Sequence, residues 1–132
     1  MIQFFIPGEP PTATAQQKGQ NRRTGAWYKT PELKDAEQKY LAYANEVRPQ
    51  QPLAGAVAMR VIFRFGLKGK HASFEPKTSK PDTDNMVKLL KDCLTRVGFW
   101  KDDAQVAEES VMKIWHSVPG ICVMVYDWGE DA

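Results

Sequence analysis

The stretch Lys80-Pro81-Asp82-Thr83-Asp84-Asn85-Met86-Val87-Lys88 concentrates side chains able to do chemistry. Asp82 and Asp84 are one residue apart, Lys88 follows Asp84 by four, and a second acidic pair, Asp102-Asp103, comes after Trp100-Lys101. Hard cations such as Mg²⁺ take oxygen ligands, often one or two carboxylates with water and substrate phosphate completing the shell. Two aspartates in an Asp-x-Asp step can meet one ion. Such a site activates water and neutralises a phosphodiester under in-line attack, and a nearby lysine stabilises the charge that develops on phosphate oxygens. A plainer account also exists. Aspartate is favoured at a helix N-cap, acid in the first turn complements the helix dipole, and an Asp84–Lys88 pair would add only a few tenths of a kcal/mol. That account leaves Asp102 and Asp103 unexplained. On spacing alone, either could bring a third carboxylate if the chain returned to the helix start.

The surrounding elements decide whether these groups can meet. Residues 2–6 read as a strand ended by Pro7-Gly8-Glu9-Pro10-Pro11. From Thr12 to Thr30 no hydrophobic period is visible, which predicts a long loop carrying Lys18, Arg22, Arg23 and Lys29 with Trp27 and Tyr28 at its end. Basic residues beside aromatics suit phosphate contact and base stacking; equally, the two rings could anchor a solvated loop to the core. Thr30-Pro31-Glu32 starts a helix as N-cap, first-turn proline and first-turn acid. Leu33, Ala36, Tyr40, Leu41, Ala44 and Val47 form its apolar stripe, and Arg48-Pro49 ends it. Residues 56–66 alternate Val57, Met59, Val61, Phe63 and Phe65 with Arg60, Ile62 and Arg64, the pattern of a half-covered strand.

Residues 67–81 form a second polar loop holding Lys68, Lys70, His71, Lys77 and Lys80. A second helix is predicted from Thr83 to Val97, its buried stripe Met86, Leu90, Cys93, Leu94 and Val97, with Gly98 just beyond its end. Asp84, Lys88 and Asp92 share a different face, so Lys88 is not needed for packing. Gln105–Val118 and Ile121–Trp128 read as two strands joined in a hairpin by Pro119-Gly120, followed by a frayed tail at 129–132. Strand, helix, strand, helix, strand, strand is the order of a two-layer α+β domain. We expect a mixed sheet of about four strands with two main helices packed on one face, in one domain spanning 1–132.

At 132 residues, 42% apolar and 26% charged, the chain has the composition of a globular protein with a real core. No apolar run approaches a membrane span, and the N-terminus lacks the basic lead of a signal peptide, so a cytoplasmic location is expected. Cys93 and Cys122 fit no metal pattern and are expected as reduced core thiols. His71 and His116 have no partner at metal-ligand spacing. The net charge of +2 permits a nucleic-acid partner without arguing for one.

The run Asp82-Thr83-Asp84-Asn85-Met86-Val87-Lys88, then Gly98-Phe99-Trp100-Lys101-Asp102-Asp103-Ala104-Gln105-Val106, resembles the RusA family of Holliday junction resolvases. The pattern D-x-D-N-x-x-K, some helix, then G-F-x-x-D-D-x-Q-V is long and specific. It covers roughly residues 55–127 and extends loosely to the first strand and the Pro-rich turn. The resemblance implies a Mg²⁺-dependent endonuclease, with Mn²⁺ able to substitute, that nicks four-way junction DNA symmetrically in recombination and repair. It implies Asp82, Asp84 and Asp103 as the acidic metal-binding residues and Lys88 as the motif lysine. Asn85, Lys80, Lys77, Lys70, Arg22 and Arg23 are expected to touch DNA. One departure lies before the first aspartate, where a basic run is familiar and this chain has Thr78-Ser79-Lys80-Pro81. Two nicks related by a two-fold axis call for two sites, hence a homodimer, with the first helix and strand 56–66 as candidate interfaces. The family occurs in bacteria and their phages, so a prophage origin fits. The competing expectation is a non-catalytic nucleic-acid-binding module using Lys68, Lys70, Lys77, Arg22 and Arg23.

Overall fold

The computed structural model describes residues 1–12 and 18–130. Residues 13–17 of the expected first loop and 131–132 of the expected frayed tail lie outside the described residues. The elements are β1 (Ile2–Pro7), β2 (Lys18–Gln20), β3 (Trp27–Lys29), α1 (Pro31–Val47), β4 (Val57–Gly66), α2 (Thr83–Val97), β5 (Val106–His116) and β6 (Gly120–Asp127), with a 3-10 turn at Asp103–Gln105. The fold is the expected α+β arrangement of two main helices and a mixed four-stranded sheet.

Both helices start and stop where local chemistry dictates. Thr30 caps α1 by accepting a hydrogen bond from the Leu33 backbone N–H at 3.3 Å, and Pro31 occupies the first helical position. α2 ends at Gly98, whose φ of 101° is the left-handed conformation that a side chain would strain. Its N–H donates back to Leu94 and Thr95. Leu33, Ala36, Tyr40 and Ala44 of α1, and Met86, Leu90, Cys93 and Leu94 of α2, are buried against Val57, Met59, Val61, Phe63 and Phe65 of β4. Phe99 and Trp100 join this core, and the Trp100 indole N–H donates to the Thr95 hydroxyl at 2.7 Å.

Three expectations are corrected. The stretch between residues 12 and 30 is not wholly loop, because β2 and β3 form a short antiparallel hairpin. Gly19 leaves room there for the Tyr28 ring, which a Cβ would meet at 2.2 Å. Nor do β5 and β6 form a hairpin. The sheet order is β1-β6-β4-β5, with β4 and β5 parallel and the other pairs antiparallel. A parallel neighbour needs a crossover, which α2 supplies, so β5 lies on one side of β4 and β6 returns on the other. The chain crosses the end of β4 at residues 117–119. Arg64, an arginine on the uncovered face of β4, donates from Nε and Nη2 to the Val118 carbonyl and holds that crossing in place. Cys122 also departs from expectation: it is half-buried beside the Arg64 guanidinium, whereas Cys93 is a core thiol.

Candidate metal and nucleic-acid site

Asp82 occupies the N-cap of α2 in extended conformation, yet its carboxylate makes no capping hydrogen bond. Asp84 stands in the first turn, exposed like Asp82 and Lys88, while Asn85 is half-buried. Neither aspartate nor Lys88 forms an ion pair among the described residues. The modest account of Lys88 as half of an i,i+4 surface pair therefore has no counterpart here. The loop entering α2 is pinned by Lys113, which the sequence pattern did not single out. Its ammonium donates to the Ser79 and Pro81 carbonyls, both at 2.7 Å. Nothing in a strand periodicity marks a lysine for that task.

The other acidic pair divides its labour. The Asp102 carboxylate accepts from the Ala104 N–H at 2.9 Å, capping the 3-10 turn. The Gln105 side chain accepts from the backbone N–H groups of Lys101 and Asp102 and donates to the carbonyls of Leu53 and Gly55. Asp102 and Gln105 thus tie the end of the crossover to the start of β4. Asp103, half-buried, takes no part in that box.

These two acidic groups are at opposite ends of α2. Val106 pairs with Val57, so the chain rejoins the sheet where β4 begins, whereas Asp82 follows the loop that leaves the end of β4. The 15 residues of α2 separate them by about 22 Å at 1.5 Å per residue. Among the described residues, no group of three or more His, Cys, Asp or Glu is placed to hold one metal ion. Asp82 and Asp84 fit a Mg²⁺ ion as an exposed, uncommitted pair of hard oxygen donors. Asp103 does not join them within one chain.

A cleft of about 390 Å³ gathers Lys68, Lys77 and Lys80 with Phe65 and Trp115. The Lys77 ammonium lies 5.1 Å from the Phe65 ring centre and 4.7 Å from that of Trp115. Desolvation, then the charges of Lys113 and Lys68, lower its pKa from the usual lysine value. Lys70 is exposed on the same loop, and His71 stacks on Trp115 with ring centres 4.3 Å apart. Arg22 and Arg23 stand exposed on a different element, the turn of the β2–β3 hairpin. Trp27 and Tyr28 remain 66% and 52% exposed, so they do not anchor that hairpin to the core. Phe74 went unnoticed in the sequence. It is 71% exposed at a φ of 72°, a conformation uncommon outside glycine, held by its N–H to the Trp115 carbonyl.

Residues 7–126 match the family described as endodeoxyribonuclease RusA, a span that includes both ends of α2 and strands β4 and β5, and all but the last residue of β6. The chain belongs to the RusA family. A relative from Bacillus subtilis (strain 168), the uncharacterized protein YqaN, is 32% identical over 94% of each chain. The crossover junction endodeoxyribonuclease of Lactococcus phage r1t is 34% identical over 42% of this chain and 43% of its own. The crossover junction endodeoxyribonuclease RusA of Escherichia coli (strain K12) is 46% identical over 30% of this chain and 32% of its own. Nuclease names thus attach to RusA relatives matched over less than half their length, while YqaN matches along nearly all of it.

Proposed function

We propose that this protein is a Mg²⁺-dependent, structure-selective endodeoxyribonuclease that nicks four-way DNA junctions in pairs, serving recombination and repair. Membership of the RusA family supports the class of reaction. The observation that carries the site is Asp82: it holds a capping position, makes no capping bond, and leaves its carboxylate free two residues before Asp84 of the first turn. Asp82 and Asp84 would hold the cation, and Asp103 is the third acidic group of the reaction. A bound Mg²⁺ supplies charge neutralisation on the scissile phosphate and a more acidic water. Lys88, exposed one turn inside α2 and without an ion-pair partner among the described residues, offers its ammonium to a phosphate oxygen. Asn85 faces the same helix start.

The cleft of Lys68, Lys77 and Lys80 supplies phosphate contacts next to the loop that enters α2. Lys70 on the same loop, and Arg22 and Arg23 on the turn of the hairpin, are further exposed cations that could meet phosphate. Exposed Trp27, Tyr28 and Phe74 offer ring faces to bases unstacked at a branch point. Two nicks related by symmetry require a homodimer.

A labelled four-way junction incubated with and without Mg²⁺ tests this. Expected are paired, symmetric nicks only with Mg²⁺, and loss of nicking with retained binding in Asp82→Asn. Binding that falls steeply with salt but yields no Mg²⁺-dependent product would instead make the protein a non-catalytic nucleic-acid-binding module.

A further inference from the structure

Asp82 has no side-chain anchor of its own. Its carboxylate makes no capping bond, and the residues shortly before it, Thr78-Ser79-Lys80, are exposed with nothing apolar to pack. A metal ligand on a loose segment must be ordered whenever an ion binds, at a cost in conformational entropy. We propose that Lys113 of β5 is the positioning residue of this site. It fixes residues 79–81 through its ammonium, sets where Asp82 stands, and keeps the acidic pair at a constant reach from the lysine cleft. The inference rests on the reading of Asp82 and Asp84 as metal ligands.

Lys113 grips the incoming loop twice. Its backbone carbonyl accepts from the Lys77 N–H at 3.0 Å, next to the bridge between Pro76 and Ile114. Its Nζ donates to the carbonyls of Ser79 and Pro81, both at 2.7 Å. Those carbonyls flank Lys80, and Pro81 is bonded directly to Asp82. Among the described residues, no other side chain donates to the backbone of residues 78–85.

The place of this lysine in the sheet is unusual. Lys113 pairs with Phe63 of β4 and shares the helix-covered face with Val111 and Trp115, both packed in or against the core. An apolar side chain would bury more surface there. Lys113 is half-buried instead and forms no ion pair among the described residues. Carbonyl oxygens stand where a carboxylate would be expected. Hydrogen bonds from a charged donor are stronger than neutral ones, so two of them clamp a short segment firmly. Carbonyl partners also leave the positive charge unneutralised, and after desolvation Lys113 is the largest influence lowering the Lys77 pKa.

One residue thus holds both halves of the proposed machinery. On one side its backbone holds Lys77, whose ammonium lies over Phe65 and Trp115; on the other its ammonium holds the two carbonyls that lead into Asp82. A phosphate met by Lys77 or Lys80 and a cation met by Asp82 then keep a fixed relation, as in-line attack on a phosphodiester requires.

The experiment compares wild type with Lys113→Met, which keeps the apolar stem and removes the donors, and with Lys113→Arg, which keeps donors and charge. Mn²⁺ binding to the protein without DNA is read by electron paramagnetic resonance, beside the urea midpoint. Lys113→Met is expected to bind Mn²⁺ about tenfold more weakly, as loss of a group behind a metal ligand does, and Lys113→Arg to come within about threefold of wild type. The Mg²⁺ needed for half-maximal nicking should rise in step. Metal-free junction binding should change less than about twofold, with an unaltered salt slope, because Lys113 is not a phosphate contact. Unchanged Mn²⁺ binding in Lys113→Met overturns the proposal. A lowered urea midpoint alone would then make Lys113 a fold stabiliser, and weaker junction binding with a shallower salt slope would make it a phosphate contact. Should Lys113→Met not fold, Lys113→Gln, which keeps one amide donor and drops the charge, carries the same comparison. Wild type that binds Mn²⁺ through Asp82 but nicks nothing fells the nuclease reading alone, and the Mn²⁺ shift still decides the role of Lys113. Wild type that binds no Mn²⁺ overturns both.

Discussion

The two ends of α2 carry similar acidic residues in different employment. At the far end, Asp102 caps a 3-10 turn and Gln105 closes the reciprocal bond, so one aspartate of that pair is structural and its neighbour is not. At the near end, Asp82 sits in the N-cap position and leaves its carboxylate unused, while Thr30 in the same position on α1 caps as expected. A residue type favoured for capping is thus no proof of capping. What distinguishes the two uses is whether the oxygen meets an N–H, and side-chain geometry alone answers that.

This contrast can be broken by substitution. The largest effect is expected for Asp82→Asn and for Asp103→Asn. Altering a group behind a metal ligand already costs 10–100-fold, so altering a ligand should cost more than about 100-fold in nicking rate. Neither substitution removes a capping bond, so the urea midpoint of each variant should report a stability within roughly 0.5 kcal/mol of wild type. Asp82→Ala should likewise leave stability nearly unchanged, and a loss of about 1 kcal/mol there would mean that its carboxylate caps α2 after all. Lys88→Ala should slow nicking much more than it weakens junction binding, measured by single-turnover cleavage beside gel shift; unchanged turnover would remove Lys88 from the chemistry.

Asp102→Ala is the structural counterpart. It should lower stability by about 1 kcal/mol through loss of the cap, read as a fall in urea midpoint. Thr30→Ala should cost a similar ~1 kcal/mol at α1 and leave the rate on bound junction unaltered. The smallest effect concerns the thiols. Burial, with Glu37 next in weight, pushes the Cys93 thiol up to about 12. Its folded value exceeds the unfolded one, so the associated stability is complete below the unfolded value and is lost as pH rises toward 12. At mildly alkaline pH, iodoacetamide should modify half-buried Cys122 first and reach Cys93 only on unfolding, as peptide mass analysis would reveal.

Much of the scaffold was legible in the chain. α1 and α2 begin and end at Thr30-Pro31 and Gly98 because capping and left-handed turns are local, and β4 alternates because one face is covered and the other is not. The β2–β3 hairpin escaped notice because three-residue strands with every residue of β3 exposed leave no hydrophobic period. The supposed β5–β6 hairpin failed for a different reason. Pro119-Gly120 does mark a reversal, but strand pairing is non-local, and the β4–α2–β5 crossover had already set β5 on the outer side of β4.

The candidate site divides the same way. The sequence by itself determined which groups are present: Asp82, Asp84, Lys88, Asp102 and Asp103 at spacings that local chemistry and family likeness both recognise. Only the tertiary structure decided which of them are free, since a carboxylate is spent or spared by the N–H groups around it. It also decided where they stand, because a helix that carries the chain from one parallel strand to the next delivers its two ends to opposite ends of the sheet.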